Sequence, residues 1–253
     1  MDKEIAQSWA KYIQIRKKYY SDKVDIDNDD SKRVYKCFVD DGIVCDDKWN
    51  NPNNPHILVV LREPRAQIEN YCRIEDACHI EGGIFSLAQY LDKKDDQGKC
   101  VWKSSSTYRP LADWIKTIFA HNKYSTEEQD NIFTHVAVIN LKKTPGGSSC
   151  NRNKLKDFCS DEKNKMFLRE QLDKINPNII ILSNEWANFC TIMGVDPRPT
   201  PYVVERDKIK PLNVYECKLP MPRGKALVFD AYHPSARGKY RTLAVDFTKY
   251  YKR

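Results

Sequence analysis

Four short stretches of the chain are almost unbroken in apolar residues: "ILVVL" at 57–61, "HVAVINL" at 135–141, "NIIILS" at 178–183 and "ALVFDAY" at 226–232. The first three are rich in β-branched residues, and all four are too short for a buried helix, the pattern of a strand covered on both faces. Between them the apolar positions change period. "RPLADWIKTIFAH" carries Leu111, Trp114, Ile115 and Ile118 on one helical face, and "KNKMFLREQLDKI" does the same with Met166, Leu168, Leu172 and Ile175. "NEWANFCTIMG" follows as a third helix ending at Gly194, and "YRTLAVDFTKYY" reads as a last one. Strands alternating with helices predict an α/β domain of three α/β/α layers around a central, mainly parallel four-stranded sheet.

Ahead of this pattern, Ile5, Trp9, Tyr12 and Ile13 mark an amphipathic helix within residues 1–20. "SDKVDIDNDDSKR" and "DKWNNPNNPH" are polar and rich in turn-forming residues, so both read as surface connections. The expected division is therefore 1–55, a helical arm with surface connections, and 56–253, the α/β domain.

Composition narrows the partners. Among 253 residues, 42 Lys and Arg stand against 35 Asp and Glu, a net charge of +7 that suits a polyanion. No run approaches the length of apolar chain that crosses a bilayer, and the opening "MDKEIAQSWAKY" is charged where a secretory signal would be apolar. An intracellular, cytoplasmic protein with no membrane partner is expected. The nine cysteines form no CxxC pair, and an odd count fits reduced thiols better than a disulfide framework. Cys72, Cys78, Cys150 and Cys159 are more widely spaced than zinc or cluster ligands usually are, so no metal and no other cofactor is expected.

In an open parallel sheet, ligands bind beyond the carboxyl ends of the strands. There the first run enters "REPRAQ" with Glu63, the second ends on Asn140 and continues "LKKTPGGSS", the third ends "SNEW", and the fourth stops at His233. A carboxylate, a carboxamide and an imidazole are thus expected along one edge. On residues alone, His233 also fits a strand cap, Asn140 a buried turn and Phe85 simple packing.

These segments, taken in order over residues 56–247, resemble the uracil-DNA glycosylase superfamily. "LREPR" matches the first-strand motif loosely through Pro64, "GIFSL" supplies the phenylalanine-serine step, "INLKKTPGGSSCNRN" the second-strand asparagine, and "HPS" the histidine motif. Leu61, Arg62 and Arg65 depart from the glycine, the small or polar residue, and the tyrosine or glycine of the first motif. No apolar wedge follows "HPS", where "ARGKYR" is basic, and the CxxC of the cluster-bearing branch is missing.

The resemblance implies a DNA glycosylase that flips uracil or another altered base out of DNA and hydrolyses its N-glycosidic bond. It implies Glu63 as the base for the attacking water and His233 as hydrogen-bond donor to the departing base. Asn140 would hold the base edge and Phe85 would stack on it. Arg62 and Arg65 would pair with Glu63 or meet phosphates. Ser86, Ser235 and Lys239 would grip the backbone, with Arg237 doing so or filling the gap left by the flipped base. A monomer acting on DNA is expected. The readings from other classes are a catalytically silent module that binds nucleic acid or protein through the same crevice, and a nucleotide or nucleoside hydrolase.

Overall fold

A computed structural model describes residues 3–14, 38–64, 79–80, 84–121, 131–144, 150–197, 203–207, 210–219 and 222–235. The four apolar runs become strands β3 (Ile57–Leu61), β6 (Ala137–Asn140), β7 (Ile179–Ser183) and β10 (Lys225–Ala231). They pair in parallel in the order β6-β3-β7-β10. The sheet is larger than the four strands expected. On one side β2 (Gly42–Ile43) joins β6 antiparallel, and on the other β9 (Lys210–Lys218) and β8 (Val203–Asp207) add an antiparallel hairpin, giving seven strands. The added strands escaped the sequence pattern because β2 is two residues long and charged and polar residues interrupt the apolar positions of the hairpin. A second, small sheet pairs β1 (Phe38–Asp40) in parallel with β5 (Ile84–Ser86), which pairs antiparallel with β4 (His79–Ile80).

Alternation along the parallel strands sends side chains to two separate cores. Leu58, Val60, Ile139, Ile180, Leu182 and Val228 pack beneath helices α1 (Lys3–Gln14), α5 (Arg152–Ser160), α6 (Glu162–Ile175) and α7 (Trp186–Met193). Ile57, Val59, Val138, Ile179, Ile181 and Phe229 pack on the opposite face against α4 (Tyr108–His121) and short helical segments around Trp102 and Phe133. Three layers result. The short helices α2 (Asp46–Trp49) and α3 (Leu87–Asp92) complete the seven α-helices among the described residues.

Among the described residues of the first 55, α1 and β2 join this core. Trp9 of α1 is fully buried and donates its indole N–H to Asn164 Oδ1 at 2.9 Å, and Tyr12 donates to Asp161. β2 is a strand of the main sheet. A stripe of large apolar residues on α1 cannot be left in water, and α6 offers the complementary face. Local chemistry fixes the helix ends: Asn151 and Asp161 accept backbone N–H groups at the starts of α5 and α6, and α7 stops at Gly194, whose φ of 68° is left-handed. The helix expected at 240–251 lies outside the described residues.

Candidate functional site

Strand register aligns the ends of the four parallel strands. Leu61 pairs with Asn140, Val60 with Leu182, and Ala231 with Ser183, so Asn140, Leu61, Ser183 and Ala231 stand level across the sheet. Two residues beyond that level the chain carries Lys142, Glu63, Glu185 and His233, one from each strand. Backbone bonds from Leu141 N to Leu61 O and from Lys142 N to Arg62 O carry the β6-β3 pairing past the ends of the strands. Glu63, Asn140 and His233 therefore do lie on one edge.

The charges on this edge neutralise one another. Lys142 Nζ donates to Glu63 Oε2 at 2.9 Å and to Thr144 O at 3.1 Å, with the lysine and glutamate side chains only 2% and 7% exposed. Arg62 does not pair with Glu63: its Nε donates to Glu185 Oε1 at 2.5 Å, and Asn188 Nδ2 donates to Glu185 Oε2 at 2.6 Å. With its side chain 18% exposed and its Nε committed to Glu185, Arg62 is held in the edge network. Asp230, near the end of β10, accepts the backbone N–H of Glu185 at 3.0 Å. Burial pushes the Asp230 carboxyl up to about 6, against the backbone N–H bonds that favour its charged form. Cys150 lies beside Glu63, and burial, reinforced by that carboxylate, pushes its thiol up to about 12. A thiol so protonated is no nucleophile near neutral pH.

Asn140 is set one layer deeper, 1% exposed. Its backbone N–H and its Nδ2 both donate to Asp41 Oδ2, at 2.7 and 3.2 Å. The other oxygen of Asp41 accepts from Lys143 Nζ at 2.5 Å and from Gln171 Nε2 at 3.0 Å. Lys143 is fully buried, its ammonium 5.2 Å from the centre of the Trp9 ring. Burial lowers the Lys143 pKa below the ordinary lysine value, and the Asp41 carboxylate opposes that shift. Asp40, beside this cluster, is pushed up to about 6 chiefly by burial.

His233 is half-buried, and its Nδ1 meets the Ser235 backbone N–H at 3.2 Å and the Ser235 hydroxyl at 2.7 Å. A backbone N–H can only donate, so Nδ1 is the acceptor and the neutral ring carries its proton on Nε2. Ser235, expected at a phosphate, is thus occupied with the imidazole. Ser86 is buried, and its hydroxyl caps α3 by accepting Gln89 N–H at 3.3 Å. Phe85 lies in β5 opposite Val39 of β1, and Val39 N donates to Lys143 O at 2.8 Å, so the small sheet docks beside the end of β6. Arg65, Arg237 and Lys239 lie outside the described residues, as do Cys72 and Cys78.

Sequence reasoning missed Lys142, Lys143, Asp41, Glu185 and Asp230. A signal existed for three of them: the lysine pair directly follows the Asn140 strand, and "SNEW" marks the end of β7 with a carboxylate. Asp41 gave none, standing between the short apolar stretches "CFV" and "GIVC", 99 residues from Asn140. Among the described residues no group of three or more His, Cys, Asp or Glu is arranged to hold a metal ion, and no helix is long and apolar enough to cross a membrane. No protein-family model, no curated protein and no solved structure matches this chain.

Proposed function

We propose that the carboxyl edge of the sheet is the active site of a DNA glycosylase, similar to the uracil-DNA glycosylase superfamily, that hydrolyses the N-glycosidic bond of uracil or another altered base flipped out of DNA. The observation that carries the reading is the register, which brings Glu63, Asn140 and His233 from three different strands to within two residues of one level. The reaction develops positive charge on the sugar and negative charge on the leaving base. His233, protonated on Nε2 by the argument from Ser235, is a neutral donor suited to a base carbonyl that gathers negative charge. Glu63 is the carboxylate available to orient water at the sugar, and Lys142 holds one of its oxygens in place. Asn140 keeps its Oδ1 without a hydrogen-bond partner among the described residues, an acceptor for an N–H on the base edge. The net charge of +7 favours a polyanionic substrate over a free nucleoside.

The test is incubation of the purified protein with oligonucleotides that each carry a different altered base, scored for abasic sites by alkaline cleavage. Release of one base, abolished by His233→Ala, supports the proposal; intact strands across the whole set defeat it. A catalytically silent binding module is the second reading, favoured by the engagement of Glu63 with Lys142 and by the burial of Asn140. It predicts binding of the same oligonucleotides with no abasic product.

A further inference from the structure

Asn140 can serve a base edge only if its carboxamide faces the right way, because the two ends of that group differ in hydrogen-bonding sense and an amide can flip. Asp41 removes the choice. Carboxylate oxygens accept and do not donate, so the amide group of Asn140 that lies 3.2 Å from Asp41 Oδ2 has to be the Nδ2 end. The Oδ1 end is then turned away from Asp41 as an acceptor. Asp41 is itself held by its neighbours. Its two oxygens receive four donors: Asn140 N and Nδ2 on one, Lys143 Nζ and Gln171 Nε2 on the other. Gln171 Nε2 also donates to the Asp41 carbonyl at 2.6 Å, fixing the backbone that carries the carboxylate. All of Asp41, Asn140, Lys143 and Gln171 are buried.

We propose that Asp41, charge-balanced by Lys143, is a positioning residue that locks the Asn140 carboxamide with its oxygen presented to the ligand, so that the site selects a base bearing an N–H at that point. This rests on the reading of the edge as a base-binding site. It adds a residue from the first 55, outside the stretch that resembles the glycosylases. It also accounts for the buried Lys143, because a buried carboxylate needs a buried cation beside it.

Asp41→Ala alone would strand the Lys143 ammonium without its partner, so the informative variant is Asp41→Ala with Lys143→Met, which leaves no acceptor at position 41, alongside the wild type at matched folded fraction. Two measurements decide the matter. In the first, side-chain amide resonances are followed by NMR, with that of Asn140 assigned by its loss in Asn140→Ala. The Nδ2 protons should exchange with solvent at least about 10-fold faster in the double variant, since the bond to Asp41 that protects them is gone. Equal exchange overturns the proposal. In the second, single-turnover base release on an oligonucleotide that the wild type processes should fall about 10- to 100-fold, with DNA affinity little changed, as expected when a contact group is misoriented by about 1 Å. Release at the wild-type rate also overturns the proposal. Should the wild type release no base at all, the glycosylase reading fails, and the exchange comparison still decides whether Asp41 orients Asn140.

Discussion

Glu63 and Lys142 form a nearly dehydrated ion pair at 2.9 Å, each standing two residues past the end of neighbouring parallel strands. Their juxtaposition follows from register alone, since Leu61 faces Asn140 across the ladder. Removing one member strands a buried charge. Lys142→Met should therefore destabilise the protein by about 3–5 kcal/mol, whereas Lys142→Met with Glu63→Gln should recover most of that loss. Denaturant unfolding of wild type, both single variants and the double variant measures the cycle, and additive losses would show that the pair is not coupled.

His233→Ala should lower the rate of base release by about 10²- to 10³-fold while changing DNA affinity far less, because a hydrogen bond to the departing base strengthens as charge develops. Ser235→Ala removes only the hydroxyl at 2.7 Å from Nδ1 and leaves the backbone N–H, so a smaller loss is expected. Single-turnover release beside a melting curve separates this from a stability effect. If His233→Ala lowers the melting temperature and leaves turnover intact, the histidine is a strand cap.

The contributions of Asp40 and Asp230 to stability should rise as the pH drops from about 6 toward 4. Asp40 and Asp230 each take up a proton near 6 when folded and near the ordinary 3.8 when unfolded. Between those values the folded state holds more protons, so each group favours folding at lower pH, and that contribution is lost as the pH rises through 6. The scale is on the order of 1–3 kcal/mol per group. Asp230→Asn, which keeps an acceptor for Glu185 N–H, should flatten the pH dependence of the denaturation midpoint between about pH 4 and 6. An unchanged slope would remove Asp230 from the account.

Gly194→Ala should cost about 1 kcal/mol or more. The residue has φ of 68°, where a Cβ is strained, and that Cβ would stand 2.9 Å from an Arg169 terminal nitrogen. Arg169 cannot retreat without loss, because its Nε donates to Ile192 O at 2.5 Å and so completes the end of α7. Thermal unfolding checks the size of the effect, and a melting temperature equal to wild type would show that the turn tolerates a side chain.

DNA affinity should fall steeply between low and high salt, since Lys and Arg contacts with phosphates release condensed counterions. Arg237→Ala and Lys239→Ala should weaken binding to every sequence alike and reduce the salt slope. Titration by fluorescence anisotropy at several salt concentrations measures both; a flat response would make the excess positive charge a solvated surface and nothing more.

The sequence by itself determined the four parallel strands, the helices between them and the edge on which Glu63, Asn140 and His233 fall. Continuous β-branched runs can be satisfied only between two helical layers, and a strand that ends there must deliver its next residues to the crevice. Helix ends were legible for the same local reason, as at Gly194 after α7. Which charges pair was settled only by the tertiary structure. Arg62 and Glu63 are chain neighbours at the bend that follows β3, yet Arg62 binds Glu185, 123 residues away, and Glu63 binds Lys142. Asp41 lay between the two stretches that read as surface connections, and only the antiparallel pairing of β2 with β6 carries it to Lys143, 102 residues on. Hydrophobic periodicity is a property of a chain segment; the partner of a buried charge is whatever the fold brings within about 3 Å of it.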